Sequence, residues 1–537
     1  MVMLCASISA TAYDFELDGI RYDITSFTEL TVSVSSLSDD IGSNLVIPES
    51  VVFNGKTLCV TNLGEGFAQN NASLEKVIVN ANIEQVSKNA FSGCSNLQIA
   101  DIKSANVIGY GAFANCESLS ELILSNNLSQ IDEYVFTGCT NLETITLPES
   151  LLLLGSNAFQ RCLKLNHVDI SHVNNIKSST FEDCRSLSDI QISSDLSEIG
   201  SYAFKGTALE TFTIPNSVKS IGGYVFSECP KLQTLTIGNG ISTISAPLFT
   251  GCNALRDLSF SDGDNALAFS YITGSAKFTS PHNPNFYSVN AYGCFEGTNI
   301  KNVYIGRNLK CGAPGYKTYC VPFLGNETIE SLTIGPKVSN IPLAGMSSDG
   351  GDISESTWSE YIVGFFQDCN NLKKVKIVGG GLKALSNQIF KNCINLEEIS
   401  FGYMISNIGS NAFENCESLS NLYFYSEIAP SYSGKFSNNL YINSHVFIPI
   451  GARISYETTS PWKNFWNLEE SADLIAGFTL NGVKYEVLQD HNVQIIGTTF
   501  KDLADIILSR TVVYKEQEFI IADISQEAFT GNVFRAL

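Results

Sequence analysis

The chain has 537 residues, of which 54 are acidic and 32 basic, giving a formal net charge of −22, and 44% of its residues are hydrophobic. This composition is typical of a folded protein and excludes a disordered chain. The acidic balance disfavours nucleic acid and anionic membrane surfaces as partners, because both attract basic proteins. No run of about 18 apolar residues occurs, so no transmembrane span is predicted.

Residues 1–12 are apolar and end in Ala10-Thr11-Ala12, a small-residue pattern like a signal-peptidase site. The basic leader of a complete signal peptide is missing from them. We interpret 1–12 as a partial signal peptide left by an incomplete gene start, which predicts an exported protein. A frayed apolar strand is the alternative.

Residues 13–60 are predicted to form a β-rich N-terminal cap. Alternating residues from Phe15 to Ile24 are interrupted by Asp18-Gly19, which is a tight hairpin signal. A β module here would cover the open end of the repeats that follow, whose first strand would otherwise be a bare edge.

Residues 61–425 contain one motif that recurs every 22 or 23 residues. Apolar residues stand three, six and eight positions after the cysteine of the motif, as Leu142, Ile145 and Leu147 do. The last two of them alternate with polar residues, as in a short strand. A single repeat cannot bury its strand edge and its phenylalanine, so neighbours must stack and pair in parallel. The sequence therefore predicts a repeat solenoid with 14 strands between Val77 and Leu422. The first eight motif phenylalanines are Phe91, Phe113, Phe136, Phe159, Phe181, Phe204, Phe226 and Phe249.

Ten of the 15 cysteines stand three residues after such a phenylalanine. Thiols that point the same way in successive turns suit neither a zinc site nor disulfides. We expect a buried ladder of hydrogen-bond donors to backbone carbonyls, with Asn or Thr as substitutes at positions such as Asn326 and Thr207. The ten are Cys94, Cys116, Cys139, Cys162, Cys184, Cys229, Cys252, Cys369, Cys393 and Cys416.

Three consecutive turns are longer than the others, with phenylalanine spacings of 46, 28 and 43 residues. The extra residues, at 262–292, 307–320 and 342–362, fall between strand and phenylalanine, and insertions at one location of a repeat often form the binding face. Their aromatic residues either contact a ligand or hold the loops in place. The candidate ligand-binding residues are Tyr287, Tyr316, Tyr319, Trp358 and Tyr361. Cys311 and Cys320, in the second insertion, can form a disulfide in an exported protein.

Residues 426–475 are predicted to be a C-terminal cap, in which Pro449 ends strand pairing and Trp462 and Trp466 seal the last turn. The segment 478–487 then repeats the pattern of 15–24, with Asn481-Gly482 in place of Asp18-Gly19. Residues 476–537 are therefore interpreted as the start of a second copy of the cap-plus-repeat module, truncated inside a repeat.

The repeat Ile408-Gly-Ser-Asn-Ala-Phe-Glu-Asn-Cys-Glu-Ser-Leu419 resembles the BspA-like leucine-rich repeats of bacterial surface proteins, and the resemblance covers about 60 to 425. It implies a leucine-rich-repeat solenoid in a secreted or cell-surface protein, and relatives that bind host proteins or other cells. It transfers no catalytic residue.

Motifs for hydrolase, metalloprotease or nucleotide chemistry are missing from the sequence. The acidic pairs at 262–265 and 349–352 have oxygen ligands suited to calcium, but turn chemistry explains them as well. We expect no enzyme, no cofactor and no metal site. The predicted function is adhesion to an extracellular or cell-surface macromolecule, protein or glycan. The alternatives are a structural spacer that presents an unseen domain and a non-catalytic part of a larger surface enzyme.

Overall fold

The computed structural model describes residues 13–270, 298–315, 318–341, 364–475, 477–487, 492–498, 510–514 and 517–525, with the short pieces 276–278, 289–292, 295, 502–503, 528 and 533–534. The chain divides into two compact units, Met1–Arg256 and Asp257–Leu537. Each unit is described by itself below. The described part holds no helix that is both long and apolar enough to cross a membrane.

The first unit begins with a five-stranded sheet. Counted in chain order, its second strand pairs antiparallel with the first and third strands, and the third strand pairs in parallel with the fifth. The hairpin turn predicted at Asp18-Gly19 forms, with both residues at positive φ. In chain order the strands are Phe15–Leu17, Ile20–Ser26, Thr31–Leu37, Ser50–Phe53 and Lys56–Leu63.

Stacked turns make up the rest of the first unit, and each turn contributes to two ladders of parallel strands. The long ladder has the predicted strands and starts earlier, at Asn44–Ile47, which pairs with Lys76–Val79. The long ladder is interrupted after Glu121–Ile123 and again after Asp189–Ile192. Its further strands are Ile99–Asp101, Glu121–Ile123, His167–Ile170, Asp189–Ile192, Thr211–Ile214 and Thr234–Ile237. The strand predicted at Ile145 is reduced to a single bridge between Thr144 and His167.

A second ladder of two-residue strands precedes each phenylalanine of the first unit, and the sequence did not predict it. Ile199, for example, pairs with Ile176 and Ile221 in register. In the first unit these strands are Gln85–Val86, Val107–Ile108, Gln130–Ile131, Leu153–Leu154, Asn175–Ile176, Glu198–Ile199, Ser220–Ile221 and Thr243–Ile244.

The core between the ladders is a column of phenylalanine rings. From Phe91 to Phe226 the consecutive ring centroids are 5.1–5.8 Å apart and the rings are stacked. Every ring in this column is fully buried. The fixed spacing of the sequence therefore becomes a fixed contact between identical side chains, which makes each turn depend on its neighbours.

In most turns two residues adopt the left-handed backbone conformation. One stands two positions before the phenylalanine and the other two positions after it. Around Phe159 they are Asn157 (φ 60°) and Arg161 (φ 61°), and around Phe113 they are Gly111 and Asn115. Asn and Gly tolerate this conformation best, which explains their frequency beside the phenylalanines.

The second unit has a ladder of eight parallel strands within its described residues. Leu332, for example, pairs in register with Val303 on one side and Val375 on the other. The eight strands are Asp257–Phe260, Asn302–Ile305, Ser331–Ile334, Lys374–Ile377, Glu398–Phe401, Asn421–Phe424, His445–Pro449 and Asn467–Ser471. The short ladder returns as Ala384–Leu385, Asn407–Ile408 and Ser431–Tyr432.

The first two insertions contribute backbone to one small mixed sheet. Leu267–Phe269 pairs in parallel with Leu309–Gly315, which forms an antiparallel pair with Thr318–Cys320. Val289–Tyr292 pairs in parallel with Thr318–Cys320 and antiparallel with Ala276–Phe278. The two insertions therefore lie on the same side of the second unit. The third insertion, 342–362, lies outside the described residues.

The segment after the last repeat corrects two sequence expectations. Pro449 does not end the ladder, because it is the last residue of its strand and pairs with Ser471 of the next. Trp462 is fully buried and its indole donates to the Pro430 carbonyl at 2.6 Å, whereas Trp466 is 74% exposed and seals nothing. The helices here are Asn438–Asn443 and Arg453–Thr458, with a 3₁₀ turn at Trp462–Asn464.

A five-stranded sheet with the strand order of the N-terminal one follows. Neighbouring strands pair parallel or antiparallel in the same order in both sheets. Both sheets also have a bulge at the tyrosine of the second strand, Tyr22 in one and Tyr485 in the other. The strands are Gly477–Leu480, Val483–Val487, Asn492–Thr498, Thr511–Tyr514 and Gln517–Ile524. Asp502–Leu503 pairs in parallel with Val533–Phe534.

Candidate binding site

The repeat cysteines are structural. All ten are buried and free, and nine donate to the carbonyl of a phenylalanine in the preceding turn, as Cys139 does to Phe113 at 3.2 Å. Burial raises the pKa of the Cys139 thiol to about 12 and that of Cys94 to about 11. Asn326 makes the same bond to Phe295 through its amide, at 2.9 Å. The predicted donor ladder is confirmed.

The residues predicted to contact a ligand are not described. Tyr287, Tyr316, Trp358 and Tyr361 lie outside the described residues, and for Tyr319 only the backbone is described, paired with Ala291. The patch on the insertions therefore remains a prediction.

The acidic candidates at 262–265 are engaged in a hydrogen bond and an ion pair, whereas those at 349–352 lie outside the described residues. Asp262 accepts from the hydroxyl of Tyr304 at 2.7 Å. His167 and Asp189, on adjacent strands, are 2.7 Å apart. Within the described ranges no three His, Cys, Asp or Glu side chains are grouped closely enough to hold a metal.

The outward face of the second unit's ladder becomes aromatic near its end, which the sequence analysis missed. Tyr423 and Phe447 occupy outward positions of adjacent strands and are paired in register. Their rings stack with centroids 4.7 Å apart and planes 9° apart. Both side chains are partly exposed, and we call this pair the aromatic platform. The available signal was the alternation of Asn421, Tyr423 and Tyr425 with buried residues.

Two polar side-chain pairs flank the aromatic platform on the same face. His445 Nδ1 and Glu469 Oε1 are 2.5 Å apart, and Lys374 Nζ is 3.5 Å from Glu398 Oε2. The platform is held by the ladder beneath it, since Leu422 and Val446 are fully buried. Rigid aromatic side chains with exposed surface are typical anchors of binding interfaces.

A parallel ladder of 22–23-residue turns over a buried phenylalanine column defines a leucine-rich-repeat solenoid. The family profile described as "BspA type Leucine rich repeat region (6 copies)" matches residues 25–136, 61–188, 106–233, 197–316 and 361–458. The chain belongs to this family of BspA-type leucine-rich-repeat proteins.

Solved structures of several bacterial proteins are similar to this chain. A leucine-rich cell surface protein of Faecalibacterium prausnitzii is 18% identical, with 86% of this chain and 96% of that one covered and a TM-score of 0.33. A leucine-rich repeat protein of Bacteroides ovatus is 19% identical, with 86% of this chain and 100% of that one covered and a TM-score of 0.28. The pneumococcal vaccine antigen PcpA is 14% identical over 85% and 98%, with a TM-score of 0.32. The comparison with curated proteins gave no match.

Proposed function

We propose that this protein is exported to the cell surface or secreted, and that it adheres to host or microbial macromolecules without catalysing a reaction. The observation that carries the proposal is the aromatic platform, because it places Tyr423 and Phe447 on a surface that the stacked turns keep rigid. Membership of the BspA-type family supports the surface location.

The second proposed contact region consists of the insertions at 262–292, 307–320 and 342–362. Insertions add surface without disturbing the stacked core, so a binding face can be built there at little cost to stability. The shared sheet of the first two insertions supports a common face for them.

Adhesion of the purified protein to immobilised extracellular-matrix proteins, mucin and intact bacterial cells tests the proposal. The double substitution Tyr423→Ala with Phe447→Ala should weaken adhesion by at least about 30-fold, because truncating even one buried aromatic anchor costs about 2 kcal/mol. A second variant replaces Tyr287, Tyr316, Tyr319, Trp358 and Tyr361 by Ala. The two variants show which region carries adhesion.

The matched control is Thr211→Ala with Thr213→Ala, which also alters two outward positions of one ladder but removes little apolar area. It should adhere like the wild type. If the wild type adheres to none of these surfaces, the spacer alternative is favoured. If the insertion variant loses adhesion and melts much lower, its aromatic residues only pin their own loops.

A further inference from the structure

The second unit contains a cleft of about 300 Å³ within its described residues. Tyr425, Pro449 and Ser471 form one wall, at the carboxyl ends of the last three ladder strands. Tyr485 and Tyr514 of the C-terminal sheet also line the cleft. The volume is at the lower end of the range for small-molecule sites, which suits one or two ring-sized groups.

The cleft combines apolar ring surface with polar groups and has no net charge. Tyrosine supplies an apolar face together with a hydroxyl that donates and accepts. The polar lining adds the hydroxyls of Ser426 and Ser471, one carboxylate, Glu427, and one ammonium, Lys484. A strongly charged ligand would meet one like charge at close range, whereas a neutral polyhydroxylated ligand can hydrogen-bond to both groups.

One wall is fixed before any ligand arrives. The hydroxyl of Tyr403, which also lines the cleft, donates to Glu486 Oε1 at 3.3 Å. This bond joins a residue of the repeats to the second strand of the C-terminal sheet. A preformed cleft loses less conformational entropy on binding than a flexible one.

The cleft continues the aromatic platform. Tyr425 is two residues beyond Tyr423, and Pro449 is two residues beyond Phe447, so each pair points to the same face of the ladder. Two residues of a strand span about 7 Å. A linear ligand that leaves the cleft along these strands therefore passes directly over the platform.

We propose that this cleft binds a sugar unit of a neutral oligosaccharide, whose chain extends over the aromatic platform. A pyranose ring has an apolar C–H face that packs on tyrosine and a rim of hydroxyls that bond to Glu427, Lys484 and Ser471. The inference rests on the proposed function as a surface-binding protein and names a glycan as the class of partner.

Isothermal titration of the full chain with neutral tetrasaccharides of glucose, mannose, galactose, xylose and N-acetylglucosamine tests the inference, with tetragalacturonate as the anionic comparison. At least one neutral tetrasaccharide should bind and the anionic one should not. Ser471→Trp, which fills the cleft without removing a core side chain, should weaken binding at least about tenfold. Tyr425→Ala should do the same, because it removes one aromatic wall.

The matched control is Trp466→Ala, since Trp466 is an exposed aromatic residue of the same region that does not line the cleft. It should bind like the wild type. Undiminished binding by Ser471→Trp overturns the assignment, as does a wild type that binds no neutral tetrasaccharide or prefers the anionic one. If the wild type still adheres to immobilised proteins in that case, the proposed function stands and only the glycan cleft is rejected.

Discussion

The hydroxyl of Tyr403 and the carboxylate of Glu486 form a 3.3 Å hydrogen bond between residues 83 positions apart. Burial raises the pKa of both groups, that of Tyr403 to about 12. Gly379 lies beside them, and a Cβ at this position would be 3.2 Å from Glu486 Oε1. The glycine therefore leaves room for a carboxylate that two separate parts of the second unit share.

Glu486→Gln should raise the melting temperature at pH 7 and leave it unchanged at pH 4. The raised pKa means that the folded state binds the proton more tightly than the unfolded state does. The stabilisation that the protonated Glu486 gives the folded state is present when the pH is below 4.5, the ordinary pKa of glutamate. It is lost as the pH rises through the raised pKa of Glu486. Glutamine stays neutral throughout. Calorimetry at both pH values measures the difference, with Glu518→Gln, an exposed carboxyl of the same sheet, as control. A lower melting temperature for Glu486→Gln at pH 7 would contradict the argument.

The ten ladder thiols should resist alkylation in the native protein at pH 8. The raised thiol pKa values of residues such as Cys94 and Cys139 leave little thiolate, which is the reactive form. Burial blocks the reagent at all ten, including Cys229, whose pKa is lowered by its hydrogen bond with Cys252. Cys59 is exposed and should be labelled at once. Mass spectrometry before and after denaturation counts the labelled residues. Quantitative labelling of the ladder without denaturant would disprove the burial.

Cys139→Val should destabilise the protein by about 0.5–1.5 kcal/mol, because it removes one of the two donors to the buried carbonyl of Phe113, which still accepts from the backbone N–H of Cys116. Cys139→Ser keeps a donor at this position and should be the more stable of the two variants. Urea unfolding monitored by circular dichroism gives both values, and Cys59→Ser serves as the exposed control. Equal stability of the two Cys139 variants would show that the hydrogen bond contributes nothing.

Asn157→Val should cost about 1–2 kcal/mol, because a β-branched residue is strained at φ 60°, and Asn157→Gly should be tolerated. The control is Asn126→Val, at an exposed position outside the left-handed region. The same unfolding measurement applies. If Asn157→Val and Asn157→Gly have the same free energy of unfolding, the backbone conformation does not limit the choice of residue at position 157.

If the protein is exported, Cys311 and Cys320 should be joined by a disulfide that closes a short loop and stabilises it by about 2–3 kcal/mol. The backbone pairing of Gly312 with Cys320 brings the chain at Cys311 next to Cys320. Peptide mapping without reductant identifies the linkage. Two free thiols at these positions would reject it.

The repeat itself could be predicted because its information is local. The spacing of Phe136, Phe159 and Phe181 sets both the turn length and the ring column, and the cysteine three residues later follows from the same geometry. The second ladder was missed because two-residue strands such as Glu198–Ile199 carry too short an alternation to be distinguished from a turn.

The sequence alone determined the class of fold, the turn length, the strand faces and the role of the cysteines, since each depends on neighbours within one repeat. Only the tertiary structure decided that Pro449 continues the ladder, that Trp462 rather than Trp466 is buried, and that Tyr423 stacks on Phe447. It also decided that Tyr425, Tyr485 and Tyr514 line one cleft. These outcomes depend on which strands become neighbours, and a residue's periodicity reports which face it occupies but not what packs beside it.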